Sequence, residues 1–573
     1  MRTAPVVAIG ALATLLPALT PAAAAAGSRA GTTAITVSTA TTVSTTTVST
    51  TVDALERYTR QKPHWNRCGA ETPADLECAT VKVPLDYSRP GGRTLDVAVS
   101  RTKATSAQDR RGVLLLNPGG PGGSGLDMPV WMAPELPDEV KKRYDLVGFD
   151  PRGVGRSAPV SCGLNGDELN WQRPYKAATF DRDIRWAETV AAKCRAGNGA
   201  VLPHLTTRNT ARDMDVIRAV LGEKKISYLG YSYGTYLGAV YTQMFPRRTD
   251  RFVLDSAVDP ERIWRGMIQV WAEGAEPAFT RWATWTAARD ETYALGRTPA
   301  EVRATFWALV ARADREPIVL DGTALTGDDI RAGRPMFFDV AYAAETVARL
   351  RDAAAGRTPS SSGRATPPAP VPPSFIPVGT GTGAGAGAGA GTGTGASTGI
   401  ATGTSAGAVP ADNMDAAFWS VVCADTRAWP RDPERYRRDA IRDKARYPLY
   451  GDFASHIKPC AFWGHGSEPA TRVNNSVGAL ILQNEWDSQT PLVSGQGLRR
   501  AMKGARMVTV LGGQGHGVYE MKSCADATAT AYLTTGRLPA ADTVCRTPAA
   551  GAGHSLRLPL PTPRLLPGGK ARF

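Results

Sequence analysis

The sequence predicts an α/β fold: a mostly parallel sheet with an antiparallel N-terminal edge hairpin and an inserted, mainly helical cap. Between residues 113 and 257, apolar runs alternate with helical patterns, and such alternation is typical of parallel sheets with right-handed crossovers. The strand pattern stops at Pro260, where Trp-rich helical segments begin, and resumes after about Thr471. Two alternating stretches, 78–87 and 94–101, precede the parallel strands and flank the turn Ser-Arg-Pro-Gly-Gly, which predicts the hairpin.

Individual elements follow from local patterns. Continuous apolar runs are typical of strands that are covered on both faces, and they predict strands at 113–116, 144–149, 226–229, 251–257, 478–483 and 507–511. Helical periodicity with start and stop signals predicts helices at 184–196, 211–221 (capped by Asn209 or Thr210), 265–287, 299–313 (capped by Thr298) and 337–355.

The predicted domain organisation follows changes in composition. The N-terminus has the charged start, apolar run and Ala-rich end of a signal peptide, and a Gly/Ala/Thr/Pro-rich insertion cannot bury enough apolar surface to order itself. In chain order the parts are a signal peptide (1–26), a low-complexity leader (27–54), the first part of the core (55–259), the cap (260–471) with a disordered loop (356–411), the second part of the core (472–546) and a disordered tail (547–573).

Charge and hydropathy exclude several classes of partner. The formal net charge is +14, but no dense basic run interleaved with aromatic residues is present, so we expect no nucleic-acid binding. Beyond the signal peptide no apolar run reaches the ~18 residues of a membrane-spanning helix, so we expect no stable membrane insertion. The sequence therefore predicts a secreted, extracellular protein whose basic surface can associate loosely with an anionic cell envelope.

Eight cysteines lie after the signal peptide, and an even count in an exported protein predicts disulfides. Their spacing suggests four local pairs, although sequence alone does not determine connectivity. The pairs are Cys68 with Cys78, Cys162 with Cys194, Cys423 with Cys460, and Cys524 with Cys545. An alternative for one cysteine is a metal site formed by His456, Cys460 and His465.

Residues 226–238 contain the motif around which the rest of the chain is interpreted. Gly230-Tyr-Ser232-Tyr-Gly234 stands between a predicted strand and a helical segment. Gly-x-Ser-x-Gly in this setting is typical of a nucleophile elbow. The turn is so sharp that the serine is expected at strained dihedrals, with glycines where neighbouring backbones pass closely. We predict Ser232 as the catalytic nucleophile.

The base and the acid are predicted from their positions after the last two strands. His516, flanked by glycines, can take the Ser232 proton and return it to a leaving group. Asp487 follows the preceding strand and lies 29 residues before the histidine, where it can orient the imidazole. Asp255 and Asp259, after the strand that follows the nucleophile, remain alternatives for the acid. The chain order Ser, Asp, His is that of an α/β-hydrolase.

An oxyanion hole needs two N–H groups aimed at the developing negative charge. The Tyr233 N–H, directly after the nucleophile, is the first candidate. The Gly-rich loop from Asn117 to Gly125 follows an early strand, and we place the second donor at Gly120. Asp150 and Arg152, in the next loop, are expected to fix that loop as a buried pair.

Together these motifs resemble the capped α/β-hydrolases that include prolyl iminopeptidases and, more closely, secreted bacterial tripeptidyl aminopeptidases. The match rests on 117–125, 150–157, 230–234, 487–491 and 515–517. Prolyl iminopeptidases typically begin the glycine loop with His, where this chain has Asn117, and this departure favours the tripeptidyl branch.

The resemblance implies a serine exopeptidase that removes short peptides, tripeptides in particular, from free N-termini through an acyl-enzyme. It implies Ser232, His516 and Asp487 as the triad, with peptide substrates and no metal or organic cofactor. A secreted carboxylesterase and a non-catalytic envelope-binding protein are the alternatives, since fold alone does not determine function.

Recognition of a substrate ammonium in a partly desolvated pocket requires a carboxylate. We therefore expect this carboxylate in the cap, where the candidates are Glu273, Glu276, Asp290 and Asp425.

Overall fold

The computed structural model describes residues 54–70, 72–357 and 408–546. Within these residues ten strands form one sheet, and two more form a small separate hairpin. In chain order the strands are β1 (Asn66–Arg67), β2 (Glu77–Pro84), β3 (Thr94–Thr102), β4 (Gly112–Asn117), β5 (Tyr144–Phe149), β6 (Ile226–Tyr231), β7 (Thr249–Asp255), β8 (Ile318–Leu320), β9 (Thr323–Leu325), β10 (Leu480–Trp486), β11 (Arg506–Gln514) and β12 (Thr543–Arg546).

The large sheet has the order β1-β2-β3-β5-β4-β6-β7-β10-β11-β12. β1, β2 and β3 pair antiparallel, and β3 joins the rest of the sheet through an antiparallel pairing with β5. All pairings from β5 to β12 are parallel. The predicted edge hairpin and parallel sheet are therefore confirmed. Because parallel strands end at the same edge, the loops after β4, β6, β10 and β11 gather there.

Helices cover the sheet and build the cap. Residues 54–59 form a first helix. The other α-helices are Met128–Met132, Asp138–Lys141, Gly166–Leu169, Phe180–Asn198, Thr207–Val220, Tyr233–Met244, Arg265–Ala287, Asp290–Tyr293, Pro299–Arg315, Gly327–Ala332, Val340–Ala354, Asn413–Ala424, Pro433–Arg446, Gly451–Ala454, Leu492–Ala501 and Asp526–Thr535. We call Tyr233–Met244 the elbow helix and Arg265–Ala287 the long cap helix.

Two helix starts differ from the prediction. Thr206, and neither Asn209 nor Thr210, caps the helix Thr207–Val220, because its side chain accepts the Asn209 N–H. The segment predicted as one helix from 337 is a 3-10 turn followed by the helix Val340–Ala354, which Asp339 caps by accepting two backbone N–H groups. The Thr298 cap is confirmed, and Glu301 completes a capping box there.

The region predicted as the cap contributes to two hydrophobic clusters. One lies within it and combines the long cap helix with residues such as Phe306 and Phe337. The other is shared with the sheet, since Trp264, Trp419 and Phe453 belong to the same cluster as strand residues. The cap also contains the β8–β9 hairpin, which the helical pattern did not predict. The boundaries at 260 and 471 stay predictions.

All four predicted disulfides are present, joining Cys68–Cys78, Cys162–Cys194, Cys423–Cys460 and Cys524–Cys545. The bond to Cys423 removes the Cys460 thiolate that the alternative metal site required. His456 is buried, with its Nε2 3.3 Å from Asp183 Oδ2. In the described ranges no group of three or more His, Cys, Asp or Glu side chains is arranged to hold a metal ion.

Some predicted segments fall in parts of the chain that the structure does not describe. The signal peptide, nearly all of the leader, most of the loop 356–411 and the tail lie outside the described residues. Among the helices of the described ranges, none is long and apolar enough to span a bilayer.

Candidate active site

Ser232 lies at the sharp turn between β6 and the elbow helix, with φ 56° and ψ −122°. This positive φ is unusual for a residue with a side chain, as the elbow motif predicts. The Ser232 N–H donates to the Asp255 carbonyl at 2.9 Å, which ties the turn to the end of β7. The serine is half-buried and stands at the sheet edge where the parallel strands end.

The elbow glycines are required by close approaches. A Cβ on Gly234 would lie 2.8 Å from Asn117 Oδ1, and one on Gly230 would lie 2.5 Å from the Tyr228 ring. Tyr228 is fully buried, and its hydroxyl donates to the Gly234 carbonyl at 2.8 Å. Tyr228 thus supports the turn from inside the sheet, although it lies outside the Gly-x-Ser-x-Gly motif.

His516 and Asp487 meet as predicted for the base and the acid. His516 Nδ1 lies 2.9 Å from each Asp487 carboxylate oxygen. Asp487 is completely buried and also accepts the backbone N–H groups of Gln489 and Thr490 and the Thr490 hydroxyl, at 2.8 to 2.9 Å. Burial alone would raise the Asp487 pKa, but the charge and hydrogen bonds of His516 and these donors hold that pKa below its ordinary value.

The alternative acids occupy other positions. The Asp255 carboxylate accepts the backbone N–H groups of Val518 and Tyr519, at 3.1 and 2.7 Å. Asp259 accepts the Glu261 N–H at 2.9 Å and packs against Gly497, where a Cβ would lie 2.2 Å from its carboxylate. Of the three candidates, Asp487 is the one whose carboxylate bonds to the imidazole.

The loop that carries His516 is held by buried polar side chains that the sequence analysis missed. Asn484 donates to the carbonyls of Gly515 and Gly517 at 3.1 and 2.8 Å. Ser256 accepts the Gly517 N–H at 2.8 Å. A signal was available in the sequence: Asn484 follows the apolar run 480–482 in the same strand, and a buried polar group there needs partners.

The glycine loop lies against the elbow. A Cβ on Gly119 would come within 3.0 Å of Ser232 Cβ and 3.2 Å of Tyr233 N. The Gly119 N–H is already bonded to Asn117 Oδ1 at 3.1 Å, whereas the half-exposed Gly120 has no bonded acceptor for its N–H in the described part of the chain. This geometry is compatible with Gly120 and Tyr233 as oxyanion donors, which stays a prediction.

Asp150 and Arg152 do not pair with each other, so that expectation was wrong. Asp150 accepts the Ser124 hydroxyl and the Gly125 N–H, at 2.6 and 3.0 Å, and so closes the glycine loop. Arg152 is buried and forms its ion pair with Asp213, 61 residues along the chain. The local spacing suggested a pair, but the partner comes from a distant helix.

Each of the four candidate cap carboxylates has a partner within the protein. Glu273 pairs with Arg262 at 2.9 Å, and Glu276 accepts the Leu449 N–H at 2.7 Å. Asp290 accepts the Gly296 N–H at 2.8 Å. Asp425 is buried and accepts donors from Thr207 and Trp264. Asp425 therefore serves a structural role, and burial raises its pKa to about 6.

Known proteins resemble this chain over most of its length. A family model described as TAP-like protein matches residues 447–545, and one described as alpha/beta hydrolase fold matches residues 112–347. The tripeptidyl aminopeptidase of Streptomyces lividans is 34% identical over 515 residues, covering 86% of this chain and 88% of the relative. Serine protease Hip1 of Mycobacterium tuberculosis is 30% identical, with 85% and 91% covered. Carboxylesterase B of the same organism is 30% identical, with 84% and 89% covered.

Proposed function

We propose that this chain, which belongs to the tripeptidyl aminopeptidase-like family of α/β-hydrolases, is a secreted serine exopeptidase that releases tripeptides from free N-termini. The chain is a serine hydrolase. The observation that carries the proposal is the buried contact between His516 Nδ1 and Asp487, at 2.9 Å. The loop that carries His516 is anchored beside the elbow of Ser232. That arrangement supports a base and its orienting acid next to a strained serine.

The proposed mechanism has two halves. Ser232 Oγ attacks the scissile carbonyl carbon while His516 Nε2 takes the hydroxyl proton, and Asp487 stabilises the imidazolium that forms. His516 then gives the proton to the leaving amine as the C–N bond breaks, which leaves an acyl-enzyme. In the second half, water attacks the ester, His516 takes its proton and returns it to Ser232 Oγ, and the peptide leaves as a carboxylate.

The tetrahedral intermediates of both halves carry a negative oxygen. The N–H groups of Gly120 and Tyr233 are the proposed donors to it. Removing one such donor typically costs about 10²- to 10³-fold in kcat. The elbow helix adds to the stabilisation, because Tyr233 is its first residue and the positive end of the helix dipole points toward the oxyanion.

Secretion is part of the proposal. Four disulfides with no free cysteine in the described ranges support folding in an oxidising compartment. The apolar N-terminal run of residues 4–19 supports export through a signal peptide.

A secreted carboxylesterase is the second candidate, because the relative Carboxylesterase B matches the chain over a similar length. The same triad cleaves esters, so substrate preference must distinguish the two. The test compares tripeptide amides with free and N-acetylated termini against short acyl esters, with Ser232→Ala as the control. Preference for the free tripeptide supports the peptidase, whereas equal cleavage of both peptides, or cleavage of esters alone, contradicts it. Failure of an active-site serine probe to label the protein would favour the non-catalytic alternative.

A further inference from the structure

The loop that carries Asp487 is held from the cap side. We call residues 487–491 the acid loop. The Trp271 indole N–H, on the long cap helix, donates to the Gln489 carbonyl at 2.6 Å. One helical turn further, Gly274 leaves room for Pro491, since a Cβ there would lie 2.6 Å from Pro491 Cγ. The cap therefore contacts the acid loop directly, through one face of a single helix.

A third contact comes from a different part of the cap. Arg334, the first residue of the 3-10 turn Arg334–Phe338, donates from Nη1 to the Ser488 carbonyl at 2.8 Å. Its guanidinium lies 5.0 Å from the Trp271 ring centroid and 4.5 Å from that of Tyr450. The side chain is held between two rings and directed at the residue that follows Asp487.

The charge on Arg334 is held by a carbonyl and two aromatic rings. The residue is 3% exposed, and burying an unpaired charge is costly. In the described part of the chain no carboxylate forms an ion pair with it. Burial lowers the Arg334 pKa, and the negative charge of Asp487 opposes that shift. Tyr450 opposes the same shift more strongly than Asp487 does, and among the carboxylates it is the proposed catalytic acid that acts on Arg334, through space and without a direct bond.

We propose that Arg334 is a positioning residue for the Asp487–His516 pair. By binding the Ser488 carbonyl from the cap, it fixes the position of Asp487 relative to His516. The inference rests on the proposed function, because it takes Asp487 as the catalytic acid. Arg334 is not assigned a contact with the substrate.

The acid loop connects Arg334 to the Asp487 carboxylate. The Asp487 carboxylate is oriented by Gln489 and Thr490 of the same loop, so its position is only as well defined as the loop backbone. Arg334 and Trp271 bind the two consecutive carbonyls of Ser488 and Gln489. A misplacement of catalytic groups by about 1 Å can cost 10²-fold in rate, so loosening this attachment is expected to lower kcat.

The experiment compares Arg334→Met, Arg334→Lys and the control Arg331→Met. Met replaces the apolar stem of Arg334 and removes the guanidinium with its charge, and Lys retains the charge. Arg331 is a second buried cap arginine, 6% exposed, which binds Asp452 and the Leu449 carbonyl and lies over Phe453 at 4.8 Å. It makes no contact with the acid loop in the described residues, so its loss reports cap destabilisation alone.

Three readouts separate positioning from packing. The first is kcat against KM: Arg334→Met is expected to lose about tenfold to hundredfold in kcat with little change in KM. The second is rescue by Arg334→Lys, which keeps a cationic donor beside the Ser488 carbonyl and is expected to regain part of the lost kcat. The third is the low-field NMR resonance of the His516 Nδ1 proton in the resting protein, which is expected to shift or broaden.

Arg331→Met is expected to leave kcat and the resonance as in wild type. A folded Arg334→Met with wild-type kcat and resonance overturns the inference. If Arg334→Met does not fold, Arg334→Lys decides: a folded Lys variant with unchanged kcat and resonance overturns the inference, and a shifted resonance with lowered kcat supports it. The resonance needs no substrate, and labelling of Ser232 by a fluorophosphonate tests the proposed function separately. A wild-type protein without labelling overturns that function and this inference with it.

Discussion

The carboxylate of Asp255 accepts the backbone N–H of Tyr519 at 2.7 Å, and this bond joins the end of β7 to the loop that carries His516. The same Oδ2 atom accepts the Val518 N–H, and the Ser256 hydroxyl lies 3.0 Å from Oδ1. Asp255 is completely buried, and burial raises its pKa to about 7. Asp255, an alternative candidate for the catalytic acid, therefore anchors the loop of the proposed base.

The raised pKa predicts a pH-dependent contribution to stability. The unfolded chain loses the Asp255 proton near the ordinary pKa of 3.8, whereas the folded protein keeps it to about pH 7. Between these values the folded state binds more protons than the unfolded state, so stability falls as pH rises. Asn cannot titrate, so the Tm of wild type minus that of Asp255→Asn is expected to fall from about pH 4 to about pH 8. A Tm difference that does not change with pH would contradict this.

The second prediction separates the acid candidates by turnover. Asp487→Asn is expected to lower kcat by about 10⁴-fold, because an amide at this position favours the wrong imidazole tautomer. Asp259→Asn is the matched control: its carboxylate accepts the Glu261 N–H and does not bond to His516, so turnover near wild type is expected. Circular dichroism checks that both variants fold. Comparable losses in the two variants would show that Asp487 has no special role.

The third prediction concerns the nucleophile and the base as a unit. Ser232→Ala and His516→Ala are each expected to lose several orders of magnitude in kcat while folding normally, with the double variant scarcely worse. Non-additivity is expected because the serine cannot act without the base, nor the base without the serine. Measured kcat values of the three variants test this non-additivity. Near-normal turnover by a folded Ser232→Ala protein removes Ser232 from the mechanism.

The fourth prediction concerns recognition of the substrate amine by the cap. Glu273 and Glu276 flank Gly274, which packs on Pro491 of the acid loop. Neutralising one of them, by Glu273→Gln or Glu276→Gln, is expected to abolish the preference for free over acetylated tripeptide amides and to spare ester hydrolysis. The reason is that binding energy from the remote amine helps to position the scissile bond. Asp425→Asn, which alters a buried hydrogen-bonded group, is expected to lower Tm instead. If both Gln variants keep the preference, the amine is recognised elsewhere.

The fifth prediction is that the low-complexity insertion is dispensable. Its replacement should span residues 358–407, because Arg357 pairs with Asp352 at 2.7 Å and Asp412 accepts the Cys162 N–H at 2.8 Å. A short Gly/Ser linker is expected to leave Tm nearly unchanged, since the entropy of loop closure varies only logarithmically with length. Thermal unfolding of the two proteins is the comparison, and a large fall in Tm would mean that the insertion packs.

Local patterns in the sequence determined much of this protein. The apolar runs at 144–149 and 226–229 predicted buried parallel strands because both faces of such strands are covered. The elbow glycines predicted the turn at Ser232 because its backbone leaves no room for side chains. The four disulfides followed from cysteines that are near neighbours along the chain. In each case the cause acts within a few tens of residues, so it leaves a readable pattern.

Only the tertiary structure decided which distant groups meet. It placed Arg152 against Asp213, and it placed the Asp255 carboxylate against the backbone of the loop that carries His516. It also brought Trp271 and Arg334 to the acid loop, 218 and 154 residues along the chain from their partners. These contacts depend on how cap and sheet pack against each other, and many of them end on backbone N–H or carbonyl groups. Since every residue other than proline carries both groups, a bond of this kind leaves no mark in the sequence of its partner.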